Sequence, residues 1–372
     1  MNQTVVTYLA QYEFFDVLFN LFGKNETLIS FFIFLLVGLI IVGLCATIGG
    51  LGTYAERKIS ADLQARIGPN RVGPYGLLQF LADGVKMMTK EDVMPFTADK
   101  MLFYLAPLLA LVGVFATLAV LPFSTGFAMT DLNVGVFYLI AISSLVGLSV
   151  FMGGYASNSK WSMLGGMRGA SQIISYEIPV TISILAITLL AGGMSFGTIV
   201  GQQKGLPFNW FIFHNPFAFI AFFIFFIGAL AETNRAPFDL PEAESELVSG
   251  YHTEYTGMRF GFFALAEYIE VFVVCGVASA LFLGGSNLPF PIDFDIIPLQ
   301  FVEVTVFMVK ALALYYVVIW VRWTVPRLRV DQLMSICWKY LTPIAIFNLM
   351  GCAVWMVVFN GRSIAQLVFG HH

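Results

Sequence analysis

Charged residues are scarce in this chain of 372 residues: Asp, Glu, Lys and Arg make up 11% of it, whereas soluble domains carry about 25%. Hydrophobic residues make up 58%. This balance excludes an ordinary soluble domain and indicates a membrane protein with several spans. The apolar runs are continuous and rich in Phe, which favours helices over the short alternating strands of a membrane barrel.

Patterns that bind metals or nucleotides are missing as well. The four cysteines are far apart and form no CxxC pair, so we expect no iron–sulfur, zinc or other metal site within the chain. The four histidines are too scattered to indicate haem ligands. No GxGxxG segment is present, so a nicotinamide cofactor is not expected here. We also expect no binding to nucleic acid.

The start of the chain lacks the features of a signal peptide. Glu13, Asp16, Lys24 and Glu26 precede the first apolar run, without a basic segment or a small-residue cleavage site, so we expect no cleaved leader. Short repeats and low-complexity linkers are not visible either. We therefore predict a single integral membrane domain over residues 1–372.

Eight apolar stretches are long enough to cross a hydrocarbon core of about 30 Å. The predicted fold is all-α and polytopic, with about eight transmembrane helices. The predicted spans are 29–51, 101–123, 133–154, 171–193, 211–232, 260–283, 301–321 and 340–360.

Lys and Arg are distributed unevenly between the two sides of these spans. The segments after spans one, three, five and seven carry Arg57, Lys58, Arg66, Arg71, Lys86, Lys90, Lys100, Lys160, Arg168, Arg235, Arg259, Arg322, Arg327, Arg329 and Lys339. The other side carries only Lys24, Lys204 and Arg362. By the positive-inside rule the basic segments face the cytoplasm and both termini lie outside.

Two of the cytoplasmic segments are unusual. The first, 54–100, is divided by several Gly and Pro residues and then shows apolar residues at helical spacing from Leu77 to Met88. This pattern predicts an amphipathic helix that lies at the membrane surface or packs on a partner subunit. The second, 233–258, is acidic, and Pro237 and Pro241 exclude a regular helix across it. Its alternating Glu242, Glu244 and Glu246 would share one side of an extended segment but fan out on a helix.

Ionisable side chains occur within the apolar stretches themselves. They are Glu177, Glu232, Glu267, Glu270, Glu303 and Lys310. A charge at membrane depth costs at least about 2.5 to 3.5 kcal/mol, so such residues usually mark an ion or substrate path, although those near helix ends can extend to the headgroups. Glu232 leads directly into the acidic segment, and Glu267 follows it. Carboxylates held together in this way suit a proton relay.

Several long motifs resemble one family. They lie at 55–58, 66–79, 174–179, 231–246, 266–268, 320–322 and 326–334. In these segments the chain is similar to the membrane subunit designated H in respiratory complex I, the proton-pumping NADH:quinone oxidoreductase. The resemblance covers roughly residues 30–360 in order, and motifs of this length are highly specific.

The resemblance implies a fold of eight transmembrane helices and two groups of functional residues. The family's quinone-passage residues match Glu56, Arg57, Asp62, Arg66, Arg71 and Asp83. Its buried carboxylate path matches Glu177, Glu232, Asp239, Glu242, Glu244, Glu246, Glu254 and Glu267, accompanied by Arg168 and Arg235, and its lysine in span seven matches Lys310. Glu270 and Glu303 have no place in the shared pattern.

The resemblance also implies partners and a location. A quinone, ubiquinone or menaquinone, would be the substrate, while FMN and iron–sulfur clusters would sit only on partner subunits. Those partners would be the cluster-bearing and quinone-site peripheral subunits and the small and antiporter-like membrane subunits. The expected location is a bacterial cytoplasmic (inner) membrane, in contact with lipid and with both termini periplasmic.

Two other classes share parts of this pattern. The membrane subunit of a related energy-converting hydrogenase could have the same fold and acidic loop without reducing quinone. A stand-alone proton-coupled transporter would also carry buried carboxylates, but it would be expected to show inverted repeats or paired broken helices, which are not visible in the sequence.

Overall fold

The computed structural model describes residues 26–124, 131–205, 207–242, 244–289 and 299–359. Within these ranges the chain forms helices joined by turns, and no strand is present. The prediction of an all-α polytopic membrane protein is confirmed.

The main helices are named here in chain order. They are α1 (Glu26–Leu63), α2 (Gln79–Thr89), α3 (Lys100–Val120), α4 (Gly135–Ala156), α5 (Lys160–Ala191), α6 (Phe196–Gln202), α7 (Pro216–Glu232), α8 (Gly257–Phe282), α9 (Leu299–Thr324) and α10 (Val330–Phe359). Short helical turns lie at Pro74–Gly76, Pro207–Asn209, Phe211–His214, Glu244–Leu247 and Gly250–His252.

Six helices of the described ranges are long and apolar enough to span a membrane: α3, α4, α5, α8, α9 and α10. Each overlaps one of the predicted spans. The helix α7 is apolar but has only 17 residues. The predicted span 29–51 lies within α1, which continues well beyond it.

The chain divides into two compact units, Met1–Ile48 and Gly49–His372. The described part of the first unit is the beginning of α1. In the second unit α5 packs against α4, α7 and α10, and α8 packs against α3, α7 and α9. Small residues bring α4 and α5 close together, since a Cβ added at Gly154 would lie 2.8 Å from Cα of Gly166.

The first predicted loop, 54–100, begins as helix. Its opening segment, up to Leu63, continues α1 because Ala, Glu, Arg and Lys are good helix formers even where the polarity ends a membrane span. The predicted amphipathic helix is present as α2. It packs on α8, and Phe80 lies against Gly50, whereas Leu81, Val85 and Met88 are exposed.

Two predicted spans differ from the observed helices. The span 211–232 is broken at Asn215, whose side chain accepts a hydrogen bond from the backbone N–H of Ala218, and Pro216 takes the first helical position. The span 171–193 is the second part of the 32-residue α5, which contains Pro179 and begins at Lys160. A π-helical turn at Ile336–Leu341 within α10 was not predicted.

Candidate functional site

A buried arginine, Arg235, lies among charged side chains from several helices. Its Nη1 donates to Oε2 of Glu56 at 2.5 Å, and its Nε lies 2.7 Å from Oε1 of Glu267. Arg322 donates to the other oxygen of Glu56. We call Glu56, Arg235, Glu267 and Arg322 the arginine cluster. Arg235 is only 3% exposed, and its guanidinium stacks 4.4 Å from the ring centroid of Tyr268.

Four separate parts of the chain supply the arginine cluster. Glu56 lies on α1, Glu267 on α8 and Arg322 in the last turn of α9, while Arg235 follows the end of α7. Burial alone disfavours the charged guanidinium, but Glu267 and Glu56 outweigh it and hold the pKa of Arg235 well above its usual value. Two arginines face two carboxylates, so the cluster is balanced in charge.

Gln172 of α5 fixes the chain that carries Arg235. Its side-chain amide donates to the backbone carbonyls of Ala231 and Phe238 at 2.8 and 2.7 Å and to Oδ1 of Asn234 at 3.2 Å. Leu328 adds a backbone hydrogen bond to the carbonyl of Pro237. The segment after α7 is therefore held against α5. It forms turns up to Glu242 instead of a regular helix, in agreement with the prediction from the two prolines.

The next part of the acidic segment is also folded inward. Burial raises the pKa of Asp239 to about 6, although Arg327 and Arg322 oppose that rise. Burial, followed by Glu267 and Asp239, raises the pKa of Glu242 well above its usual range. His252 Nδ1 lies 3.6 Å from Oε1 of Glu242, and burial lowers the pKa of this imidazole to about 4, so it is neutral near pH 7.

A glycine permits this fold of the acidic segment. Gly250 has φ +61°, and a Cβ added there would lie 1.6 Å from the carbonyl oxygen of Pro241. Only glycine lets the backbone pass so close to the residue before Glu242. Ser162 of α5 then holds the turn, because its hydroxyl donates to the carbonyl of Tyr251 at 2.8 Å.

The three alternating glutamates are not arranged alike. Glu242 points into the fold, whereas the Glu246 side chain is 53% exposed and its carboxylate pairs with Arg168 Nη1 at 2.6 Å. That hydrogen bond lowers the pKa of Glu246. Glu244 begins a helical turn, Glu244–Leu247, so the segment is not extended; the position of its side chain lies outside the described part. Glu254 is half-buried just before α8.

A cavity lies between α3, α4, α5, α7 and α8. Three carboxylates line it: Glu177, Glu232 and Glu270. Thr117, Ser143 and Thr181 contribute hydroxyl groups, and the other lining residues are apolar. Glu232 is 7% exposed and interacts electrostatically with Glu177.

The cavity and the arginine cluster differ in charge balance. The described residues that line the cavity include no Lys or Arg, whereas the arginine cluster has as many cations as carboxylates. Sequence reasoning predicted that Glu267 would join Glu177 and Glu232. The structure instead places Glu270 with them and pairs Glu267 with Arg235.

The predicted quinone-passage residues are mostly at the surface. Arg57 Nη1 donates to Oδ2 of Asp83 on α2 at 2.5 Å. The Nε of Arg66 donates instead to Oε1 of the neighbouring Gln64 at 2.6 Å. Asp62 and Arg71 are exposed. Glu56 differs from the other predicted passage residues, since it is buried in the arginine cluster. Its ion pair with Arg235 connects the start of the first loop with the segment after α7.

Lys310 of α9 contacts none of the three cavity carboxylates in the described part of the chain. Its ammonium group donates to the carbonyls of Leu283, Gly285 and Asn287 at 2.8 to 2.9 Å and lies 4.4 Å from the ring centroid of Trp210. These carbonyls follow the end of α8, where a cation is favourable. Within the described ranges, no group of His, Cys, Asp and Glu is arranged to hold a metal ion.

Comparison with known proteins gives one family. The sequence model of the NADH dehydrogenase family matches residues 35–353. The H-type subunit of NADH-quinone oxidoreductase from Bacillus cytotoxicus is 49% identical over 324 residues, which cover 86% of this chain and 93% of the relative. The corresponding protein of Chlorobaculum tepidum is 46% identical over 82% of this chain and 87% of its own length. That of Anaeromyxobacter dehalogenans is 44% identical over 87% of this chain and 81% of its own length.

The chain belongs to the family of H-type subunits of NADH-quinone oxidoreductase. The resemblance found in the sequence motifs is thereby confirmed. As a member of this family, the chain is a membrane component of an enzyme complex.

Sequence reasoning missed two residues of this site in the H-type subunit. Arg322 lay in a motif of the resemblance, but nothing local indicated that it would pair with Glu56, 266 positions away. Glu270 was recognised as a buried acid without a role. Its spacing from Glu267 was the available signal, because residues three apart on a helix lie on neighbouring parts of its surface.

Proposed function

We propose that this chain forms the quinone entrance passage of an NADH:quinone oxidoreductase and a buried carboxylate path that couples quinone reduction to proton movement. The observation that carries the proposal is the position of Glu56. This residue lies in the part of α1 that leads into the first loop, and it binds both Arg235 and Arg322 in the arginine cluster. A change of charge or conformation at the quinone passage is therefore transmitted through Glu56 and Arg235 to the carboxylate of Glu267 by direct contacts.

The passage is supported by the composition of α2 and its surroundings. A quinone has an apolar tail and a polar headgroup, so its site needs an apolar mouth and a few polar groups farther in. Leu81, Val85 and Met88 supply exposed apolar surface on α2. Asp83 on the same helix is paired with Arg57, one residue from Glu56. The irregular segment 64–78 before α2 is the kind of backbone that lines such an opening.

The proton path is supported by the order of the carboxylates. Asp239 and Glu242 lie in the folded acidic segment and interact electrostatically with Glu267. Glu267 belongs to the arginine cluster, and Glu232 and Glu177 line the cavity beyond it. Because Arg235 and Glu56 are almost completely buried, water screens them little, and a change of charge at one end alters proton affinity at the next group.

Other predicted residues fit supporting roles. Near the protein surface, the acidic segment carries Glu246 and Glu254, and Arg168 of α5 pairs with Glu246. A peripheral partner subunit that carries the iron–sulfur cluster nearest the quinone docks at this surface. Lys310 holds the chain after α8 in place. We propose a cytoplasmic membrane location with the basic loops inside and both termini outside, in agreement with the distribution of Lys and Arg.

The proposal is tested on the assembled complex in sealed vesicles. NADH oxidation that depends on added quinone, together with acidification of one compartment, is the expected result. Hydrogen production without quinone reduction would assign the chain to an energy-converting hydrogenase instead. Proton-coupled transport by this chain alone, without its partners, would assign it to the transporters.

A further inference from the structure

Glu270 is a buried acid that none of the family motifs includes. Its residue exposure is 9%, and its side chain lines the same cavity as Glu177 and Glu232. Among the described residues, no hydrogen bond or ion pair joins the Glu270 carboxylate to another side chain. It does interact electrostatically with Glu232 and Glu267, which disfavour its charge, and with Arg235, which favours it. Such a group needs a compensating proton at this depth.

We propose that Glu270 carries protons between the arginine cluster and the cavity. Glu267 and Glu270 are three residues apart on α8, which places their Cβ atoms about 5 to 6 Å from each other. Glu267 is bound to Arg235, and Glu270 opens onto the cavity, so together they connect the two groups of carboxylates. This inference rests on the proposed function and adds a residue to its path.

The cavity can hold the water that the transfer requires. The part of the cavity open to the centre of a water molecule is about 40 Å³, and about 10 to 15 Å³ by this measure holds one water. Thr117, Ser143 and Thr181 line the same cavity as the carboxylates, and a buried water usually binds two to four polar partners. The hydroxyls of Thr117 and Ser143 donate to backbone carbonyls of their own helices, so their oxygens are left to accept from water.

The transfer is balanced in protons and involves no electrons. A protonated Glu270 gives its proton to a cavity water, and that water gives one of its protons to the carboxylate of Glu232. Glu270 is left ionised and receives the next proton from Glu267, which has taken that proton from Glu242. The net change is one proton moved from the acidic segment, through Glu267 and Glu270, to Glu232.

Glu303 provides a matched control within the same chain. It is also a buried glutamate, with 8% exposure, but it lies on α9 and accepts a hydrogen bond from the Ser124 hydroxyl at 2.7 Å. It does not line the cavity. Substitution of either residue by Gln removes one buried carboxyl and preserves the side-chain shape.

The test compares Glu270→Gln, Glu270→Asp and Glu303→Gln in the assembled complex, in sealed vesicles. We expect Glu270→Gln to lower quinone-dependent proton pumping by at least about tenfold, as is typical when a proton-transferring group is removed. Glu270→Asp should retain an intermediate rate, and Glu303→Gln should stay within about twofold of the wild type, since no proton transfer is removed. NADH oxidation with a hydrophilic acceptor reports assembly.

An infrared measurement separates proton transfer from a purely structural role. The difference spectrum on addition of NADH contains the C=O stretching band of protonated carboxyl groups. Glu270→Gln should remove one component of that band, and Glu270→Asp should shift it. If Glu270→Asp pumps at the wild-type rate with an unchanged band, the inference is overturned, even if Glu270→Gln fails to assemble.

Adding Glu232→Gln to this experiment distinguishes the inference from the proposed function. If Glu232→Gln abolishes pumping and Glu270→Gln does not, the carboxylate path stands and Glu270 is not part of it. If Glu232→Gln also pumps normally, the path itself is refuted, and the inference fails with it.

Discussion

Arg235 and Glu56 form a buried ion pair with an N–O distance of 2.5 Å, although 179 positions separate them in the chain. The pair joins the segment after α7 to α1, and Arg235 also binds Glu267 of α8. Both ionic side chains are less than 10% exposed. Removal of one partner therefore leaves an uncompensated charge inside the protein.

The first prediction concerns the stability of this pair. Arg235→Gln should destabilise the complex by about 3 to 5 kcal/mol, because Glu56 and Glu267 lose their shared cation. Arg168→Gln is the matched control, since the Arg168–Glu246 pair is largely exposed and is worth about 0 to 1 kcal/mol. Thermal unfolding of the purified complex measures both. If both variants lowered the stability of the complex equally, the arginine cluster would contribute no more to stability than an exposed ion pair.

The second prediction concerns the passage. Arg57→Ala removes the contact to Asp83, and because a partly exposed ion pair is worth about 1 kcal/mol or less, we expect the apparent KM for quinone to rise by at most about fivefold. Arg66→Ala should have a smaller effect, because Arg66 binds only a neighbouring glutamine in the described chain. Reduction of a hydrophilic acceptor should be unchanged in both. Parallel loss of both activities would indicate failed assembly rather than a passage defect.

The third prediction concerns pH. Asp239 has a folded-state pKa of about 6 against 3.8 when unperturbed, so it is mostly protonated below pH 6 and ionised above it. If its carboxylate accepts a proton during turnover, quinone-dependent NADH oxidation rises as the pH increases through about 6. Asp239→Asn should remove this inflection, and Asp239→Glu should keep one.

Of the other groups of the acidic segment, His252 and Glu246 do not explain an inflection at that pH, whereas Glu242, whose pKa is also raised, can contribute to one. His252 titrates near pH 4, and the pKa of Glu246 lies below its usual value. An inflection near pH 6 that persists in Asp239→Asn would therefore exclude Asp239 as its source.

The fourth prediction concerns Lys310. Its ammonium binds three carbonyls that follow α8, and hydrogen bonds to a charged group contribute about 1.5 to 3 kcal/mol each. Lys310→Met should therefore lower the Tm of the complex, with activity falling only as far as folded complex is lost. A normal Tm combined with lost proton pumping would instead make Lys310 a member of the proton path.

The helices that could be predicted from the sequence are those with a clear local pattern of apolar residues. Continuous apolar runs located the helices α3, α4, α5, α8, α9 and α10, and helical spacing of apolar residues located α2. The break at Asn215 was missed because the apolar composition continues across it, although the Asn-Pro pair is a recognisable helix start.

Convergence of distant residues could not be predicted in this way. Glu56 meets Arg322 across 266 positions, and that contact depends on how α1 and α9 are rotated about their axes. The same limit explains why Glu267 was predicted beside Glu177 and Glu232, where the structure has Glu270. Both lie on α8, and only the packing of its neighbours decides which one faces Arg235 and which one faces the cavity.

Glu232 offers the most direct test of the carboxylate path. It ends α7, lines the cavity and interacts electrostatically with Glu177, so the proposed transfer passes through it. Proton pumping by Glu232→Gln in sealed vesicles is the deciding measurement, with Glu232→Asp beside it. We predict a loss of at least about tenfold for Gln, with assembly preserved, and partial activity for Asp. Wild-type pumping and quinone reduction by the Gln variant would contradict the path and leave Glu232 a structural acid.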